Sequence, residues 1–144
     1  MPITRRDLCS LMPALAFMPS LLPSGAATDA LRSAAFPFAD LTPKTTGAAT
    51  GRRITKGKTP TGEQVEVHET VLAPGGMPHP PHHHAHSEFW LIREGQVEIT
   101  ISGTPHQLGP GSAAFAASND EHGIKNIGSE PASYFVVAVG PMNG

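Results

Sequence analysis

Histidine is concentrated in one short segment of this chain. Five of its eight histidines lie between residues 79 and 86, immediately before an apolar stretch, and Glu88 follows closely. Neutral imidazole and carboxylate are ligands of borderline divalent metals. On an extended chain His82 and His84 project to the same face, and Glu88 reaches that face after a short turn. The segment therefore predicts a site for a divalent metal ion.

The remaining histidines leave alternatives open. His86 shares its parity with His84 and is an alternative ligand or an outer neighbour of the site. We expect His79 and His83 to be exposed neighbours, and His68 and His106 to be ordinary surface histidines. A histidine-rich loop can also be a solvated tract that buffers metal without specificity.

The elements that must position these ligands are strands. Only 15% of the residues are charged, and glycine and proline each number 15, a composition typical of short strands joined by tight turns. Apolar residues alternate with polar ones in 65–71 and in 97–101, as they do in half-buried strands. Further short segments follow at 113–116, at 122–126 and at the apolar 134–139, separated by turn residues. Six or more short strands without a convincing helix predict an all-β barrel or sandwich.

Two finer expectations follow for the strand after Glu88. A hairpin is expected between Phe89–Arg93 and Gln96–Ser102, turning at Glu94-Gly95, where glycine can take a positive φ. If Glu88 points inward, Trp90 and Ile92 point inward with it and form the wall of a substrate pocket.

The outward side of the same strand needs a cover. Phe89 and Leu91 would face outward, and either an N-terminal arm that carries Phe36 and Phe38 or a second subunit could cover them. A homodimer is therefore expected.

At this point the spacing resembles the first motif of the cupin superfamily. That motif runs Gly, five residues, His-x-His, three or four residues, Glu, six residues, Gly. Gly76, His82, His84, Glu88 and Gly95 match it at the correct intervals.

The second cupin motif, Pro-x-Gly-x-x-His-x-x-x-Asn, is matched at its polar end. His122 and Asn126 stand at the proper offset, whereas Ala117 replaces the proline and Asn119 replaces the glycine. Because asparagine enters left-handed backbone geometry more readily than most residues, we expect the turn before His122 to survive.

The resemblance implies a double-stranded β-helix, or jelly roll, with His82, His84, Glu88 and His122 as metal ligands. Asn126 is expected in an outer or alternative ligand position. A set of three imidazoles and one carboxylate leaves positions for water or substrate, as catalysis requires. The carboxylate favours Mn²⁺ or Fe²⁺, while Zn²⁺, Ni²⁺ and Cu²⁺ remain alternatives.

The N-terminal segment has the layout of an export signal. Arg5-Arg6 precede an apolar run from 11 to 22, which ends in small residues near 24–27. The paired arginines favour a twin-arginine signal over a general secretory one. We expect a signal peptide in 1–26, an arm in 27–48 and the barrel in 49–144, with export to a bacterial periplasm and no stable membrane span after cleavage.

Charge and composition limit the function. Ten basic and twelve acidic side chains give a formal net charge of −2, which does not favour nucleic acid as a partner. A small-molecule ligand is expected instead. The site suits a metal-dependent enzyme acting on a small oxygenated molecule, of the dioxygenase, isomerase or decarboxylase type, and the alternative is a non-enzymatic binding module. A general acid close to the open metal position would favour the enzyme.

Overall fold

The computed structural model describes residues 30–142, which form nine strands and one 3₁₀ turn, Phe38–Asp40. In chain order the strands are β1 (Pro43–Thr46), β2 (Ala49–Lys58), β3 (Gln64–Leu72), β4 (Ser87–Glu94), β5 (Val97–Ile101), β6 (Thr104–Leu108), β7 (Ala113–Ala116), β8 (His122–Asn126) and β9 (Ala132–Val139). The predicted signal, 1–26, lies outside the described residues. In the described part of the chain, no helix is long and apolar enough to cross a membrane.

The strands form two antiparallel sheets that face each other as a jelly roll. One sheet has the order β1-β2-β3-β9-β4-β7 and the other has the order β6-β5-β8. The all-β jelly-roll prediction is confirmed. Apolar residues from both sheets close the core, with Trp90 and Tyr134 on the larger sheet and Ile99 and Ile124 on the smaller one. The ends of β4 and β8 that carry the predicted ligands therefore come from opposite walls.

The hairpin expected at Glu94-Gly95 is wrong. β4 pairs with β7 and β9, whereas β5 pairs with β6 and β8, so the turn carries the chain from one sheet to the other. Gly95 has a φ of +80°, and a Cβ there would lie 2.6 Å from the Ala132 Cα. Glycine is required because the chain crosses between sheets against the backbone of β9.

The polar side of β3 faces the interior. His68 and Thr70 line an internal cavity beside Trp90 and Tyr134, while the valines of β3 lie on the other side of the sheet. The apolar parity of 65–71 correctly predicted a strand. It did not show which side of the strand faces the cavity, because both sides of β3 are at least partly covered.

The predicted arm, 27–48, ends in an edge strand and covers one part of the outer face. Glu69 is almost completely buried there between Arg52 and Arg93, at 3.1 and 3.3 Å, and Phe38 lies 4.6 Å from the Arg52 guanidinium. Phe89 and Leu91 point outward and remain 42% and 45% exposed. The arm therefore covers the ion cluster and leaves this apolar surface open.

Asn126 connects three segments at the base of β8. Its side-chain amide donates to the carbonyls of Leu72 and Glu130, at 3.0 and 2.8 Å, and accepts from the Gly128 amide. Its backbone amide donates to Gly76, in the segment that leads to the histidines. Asn126 is fully buried, and these bonds give hydrogen-bond partners to both the nitrogen and the oxygen of its side-chain amide.

We predict that Asn126→Ala lowers the free energy of unfolding by about 2–4 kcal/mol, because it removes the donor to the buried Leu72 carbonyl and to the partly buried Glu130 carbonyl. Chemical denaturation of the two proteins measures this difference. Gln107→Ala, on exposed strand β6, is the control and should change stability by less than about 0.5 kcal/mol. Equal stability of Asn126→Ala and the parent would contradict the assignment.

Candidate metal centre

Backbone hydrogen bonds bring the two predicted motifs together. His82 and His122 form an isolated antiparallel bridge in which each backbone amide donates to the other's carbonyl, at 3.0 and 2.8 Å. The Asn119 amide donates to the His84 carbonyl at 2.8 Å. Asn119 has a φ of +66°, so the left-handed turn predicted for it is confirmed. The loop before β4 is thereby tied to β8 on the opposite sheet.

The backbone fixes the tautomers of two imidazoles. His84 Nδ1 lies 2.8 Å from the His86 carbonyl oxygen, and His122 Nδ1 lies 2.8 Å from the Asp120 carbonyl oxygen. A carbonyl can only accept, so each Nδ1 must carry a proton. In the neutral rings the lone pair is therefore on Nε2, as metal coordination requires.

Three ring nitrogens meet in one place without protein partners. One ring nitrogen from each of His82, His84 and His122 lies within 4.8 Å of the other two. Among the residues that the structure describes, the buried side-chain polar atoms without a hydrogen bond are His82 Nδ1, His84 Nε2 and His122 Nε2. Buried polar atoms are rarely left unsatisfied, so the chemistry of this triad fits the coordination of a cation.

Glu88 lies at the edge of the triad. Its Oε1 is 3.2 Å from His84 Nε2, and its Oε2 is 3.8 Å from His122 Nε2. In the neutral tautomers these nitrogens bear lone pairs, so lone pairs of the imidazoles face a carboxylate with no proton between them. A divalent cation would turn this repulsion into coordination.

His86 holds the carboxylate from the other side. Its Nε2 donates to Glu88 Oε1 at 3.2 Å, and its ring stacks on His84 with a centroid separation of 3.4 Å. His84, His86 and Glu88 therefore form a second cluster of potential ligands that overlaps the first one. In this arrangement His86 is a hydrogen-bond partner of Glu88, while its ring nitrogen remains close enough to act as an alternative ligand.

Burial disfavours the protonated forms of His82 and His122. Loss of solvent lowers the pKa of His82, and nearby imidazoles lower it further. Burial also lowers the pKa of His122, although the Asp120 carbonyl and Glu88 oppose the shift. Protons are therefore poor substitutes for a metal ion at this centre.

A cavity of about 270 Å³ opens beside the cluster. Its walls include Glu88, Trp90 and His122, with Tyr134 and Val136 from β9. The Trp90 ring meets His122 edge-on at 5.2 Å and is 3% exposed. Burial raises the pKa of Tyr134, so its hydroxyl keeps its proton. A larger hollow of about 560 Å³ near Ala30 and Met142 has no histidine, cysteine or carboxylate in its lining.

The structure places the predicted site residues at different depths. His82, His84, Glu88 and His122 lie together, and Trp90 lines the cavity. Ile92 is buried in the core one pair further along β4 and does not belong to the cavity lining. His79 and His83 are exposed, as expected, although His79 also borders the cavity.

His68 is the residue that sequence reasoning missed. It was expected on the surface, but it is half-buried and lines the cavity from β3. Burial lowers its pKa, while Glu88 and Glu66 act in the opposite direction. The sequence did show that His68 and Thr70 lie on the same side of a strand. Alternation alone does not reveal which side of a strand faces a ligand.

Comparison with known proteins supports the cupin superfamily for this chain. Residues 68–138 match the Cupin domain family model. The crystal structure of an RmlC-like cupin from Shewanella frigidimarina has the same fold, with a TM-score of 0.65 and 15% identity, covering 77% of this chain and 95% of that one.

Two curated proteins are more similar in sequence over shorter lengths. An L-ectoine synthase from Bordetella petrii is 34% identical over 85 residues, which are 58% of this chain and 62% of that protein. A dimethylsulfoniopropionate lyase, DddW, from Ruegeria pomeroyi is 42% identical over 43 residues, 30% of this chain and 28% of that protein. The chain thus spans under two thirds of the curated relatives that it matches.

We predict that His82→Ala, His84→Ala and His122→Ala each weaken divalent-metal binding at least about tenfold, because each removes one coordinating nitrogen. His106→Ala, which changes an exposed histidine on β6, should leave binding unchanged. Glu88→Gln should weaken binding less, yet raise the stability of the metal-free protein by about 1 kcal/mol, because its amide can donate to an imidazole lone pair. Metal titration and thermal melting measure both effects, and equal metal stoichiometry in the triple histidine variant would contradict the site.

We also predict that the metal-free protein loses stability as the pH falls below about 6.5, the ordinary pKa of histidine. The folded-state pKa values of His68, His82 and His122 are lowered, so the unfolded chain binds more protons in this range. The free energy of unfolding must then decrease until the pH has passed the lowered values. Melting temperatures between pH 8 and pH 5 test this, and the dependence should be weaker in a variant with His82→Ala and His122→Ala.

Proposed function

We propose that this cupin-fold protein is an exported metal-dependent enzyme that acts on a small oxygenated molecule of the kind handled by dioxygenases, isomerases or decarboxylases. The observation that carries the proposal is the group of three orphaned buried imidazole nitrogens beside a carboxylate. His82, His84, Glu88 and His122 would hold the ion. The donor set favours Mn²⁺ or Fe²⁺.

The cavity supplies what a reaction would need next to such an ion. A divalent metal bound there would polarise a substrate oxygen as a Lewis acid. Trp90, Tyr134 and Val136 exclude water from the opposite wall. His68, uncharged near neutral pH because burial lowers its pKa, can accept or return a proton through a ring nitrogen.

This last feature favours an enzyme over a binding module. A pocket that only stores a ligand does not need a titratable group beside the open metal position. The two curated relatives, a synthase and a lyase, are also enzymes. Export rests on the Arg5-Arg6 signal pattern, which lies outside the described residues.

We also propose a homodimer formed through the open outer face of the larger sheet. Phe89 and Phe115 pair there with ring centroids 4.6 Å apart, and both are more than 40% exposed. Leu91 extends this surface. A contiguous apolar surface of this kind is stabilised when a second copy covers it.

The proposed enzyme predicts that His68→Gln abolishes turnover while leaving metal content intact, because His68 is not among the proposed ligands. Protein loaded with Mn²⁺ or Fe²⁺ would be incubated with a panel of small keto acids, hydroxy acids and sugars, and consumption would be followed by NMR. We expect a loss of about 10²-fold or more for His68→Gln and none for His106→Gln. Ligand binding without consumption by the loaded parent protein would instead establish the binding module.

A further inference from the structure

The metal-site cavity continues into a groove on the surface of β1–β3. His68, Thr70 and Pro78 line the cavity of about 270 Å³ and also a neighbouring groove of about 520 Å³. The two spaces adjoin at these three residues, and together, as the cleft, they extend from the imidazole cluster to the edge strand β1. A ligand on the metal could extend into this groove without crossing the barrel wall.

The groove is basic. Its lining includes Lys44, Arg52 and Arg53, with Glu66 as its one carboxylate. Arg52 is occupied on the outer face of the sheet, where its guanidinium donates to the buried Glu69 at 3.1 Å. Lys44 and Arg53 are the cations that remain to face the groove.

Their charge is only partly compensated. The Glu66 carboxylate lies 2.7 Å from Lys56 Nζ and 3.7 Å from Arg53 Nε, so two cations share it. Lys44 has no carboxylate within 4.0 Å among residues 30–142. Because the whole chain has a formal net charge of −2, this excess positive charge is a local feature of the cleft.

The inner end of the cleft does not offset this charge. Burial lowers the pKa of His68, which leaves its imidazole uncharged near neutral pH. A divalent ion held by neutral imidazoles and the single carboxylate of Glu88 would retain one net positive charge. With such an ion bound, the cleft would be cationic at the metal as well as at Lys44 and Arg53, and Trp90 and Val136 contribute apolar wall to the cavity.

We propose that the substrate is a small carboxylate-bearing molecule, whose oxygen meets the metal while a separate carboxylate is anchored by Arg53 and Lys44. This inference rests on the proposed function, and it specifies its substrate class. Arg53 pairs with His68, which is in register with Val136 and then with Trp90. The backbones of Arg53 and Trp90 are therefore three strand spacings of about 4.8 Å apart. Because side chains from both ends project into this space, a molecule of a few carbon atoms would span the distance that remains.

The probes are malonate, succinate and glutarate, each compared with its neutral diamide. Calorimetric titration of the Mn²⁺-loaded full-length protein at low ionic strength would measure their affinities, after dialysis has shown that the metal is retained. We expect at least one dicarboxylate to bind about tenfold or more tightly than its diamide, and we expect added salt to weaken it.

Variants distinguish a specific carboxylate anchor at Arg53 and Lys44 from a general effect of positive charge on binding. Arg53→Gln should weaken dicarboxylate binding about tenfold, and Lys44→Gln about threefold, without changing diamide binding. Arg53→Lys should retain most of the affinity. The matched control is Lys125→Gln, which removes the same charge from an exposed position of β8 on the smaller sheet and should have less than a twofold effect.

Each outcome is decisive. If dicarboxylates bind no better than diamides, or if Arg53→Gln and Lys125→Gln behave alike, the carboxylate anchor is wrong while the metal site stands. If the parent does not take up metal, the proposed function fails. The same comparison on the metal-free protein then still tests the anchor. Lys44→Gln, on the exposed edge strand, provides the test if Arg53→Gln does not fold.

Discussion

The main constraint on this barrel is an unfavourable arrangement at its centre, where lone pairs of buried imidazoles face one another and a carboxylate. Carbonyl acceptors hold the protons of His84 and His122 on Nδ1, so their Nε2 atoms have none to share. Burying such groups without partners costs free energy, and neutralisation by protons is opposed because burial lowers the pKa of His82 and His122. A bound divalent metal ion would offset this cost, which would couple the stability of the barrel to the ion.

The barrel can maintain this arrangement because the ligands are held by backbone rather than by side-chain packing alone. The bridge between His82 and His122 joins the segment before β4 to the opposite sheet. Asn119 and Asn126 add further ties to that segment, through the His84 carbonyl and the Gly76 carbonyl. A site built on such ties keeps its geometry when empty, so little reorganisation opposes ion binding.

Different chemical groups line different parts of the cleft. The imidazoles and Glu88 lie at one end, His68 lies along the wall, and Arg53 and Lys44 lie at the mouth. Trp90 and Val136 add apolar wall to the inner cavity, and the low polarity there strengthens electrostatic interactions with a bound molecule. This gradient explains how a chain of negative net charge can offer a positive site to a small anion. The arm lies on the other side of the sheet, where its Phe38 ring covers the Arg52 guanidinium.

The sequence by itself determined the features that depend on local spacing. The intervals among His82, His84, Glu88 and His122 predicted the cluster, alternating residues predicted the strands, and asparagine at 119 predicted the left-handed turn. The tertiary structure alone decided that β4 and β5 lie in different sheets and that the polar side of β3 faces the cleft. The period of two defines two sides of a strand, but partners distant in the chain select its neighbours and its inner side. For that reason the role of His68 and the basic groove of Arg53 emerged only when β3 was placed beside β2 and β9.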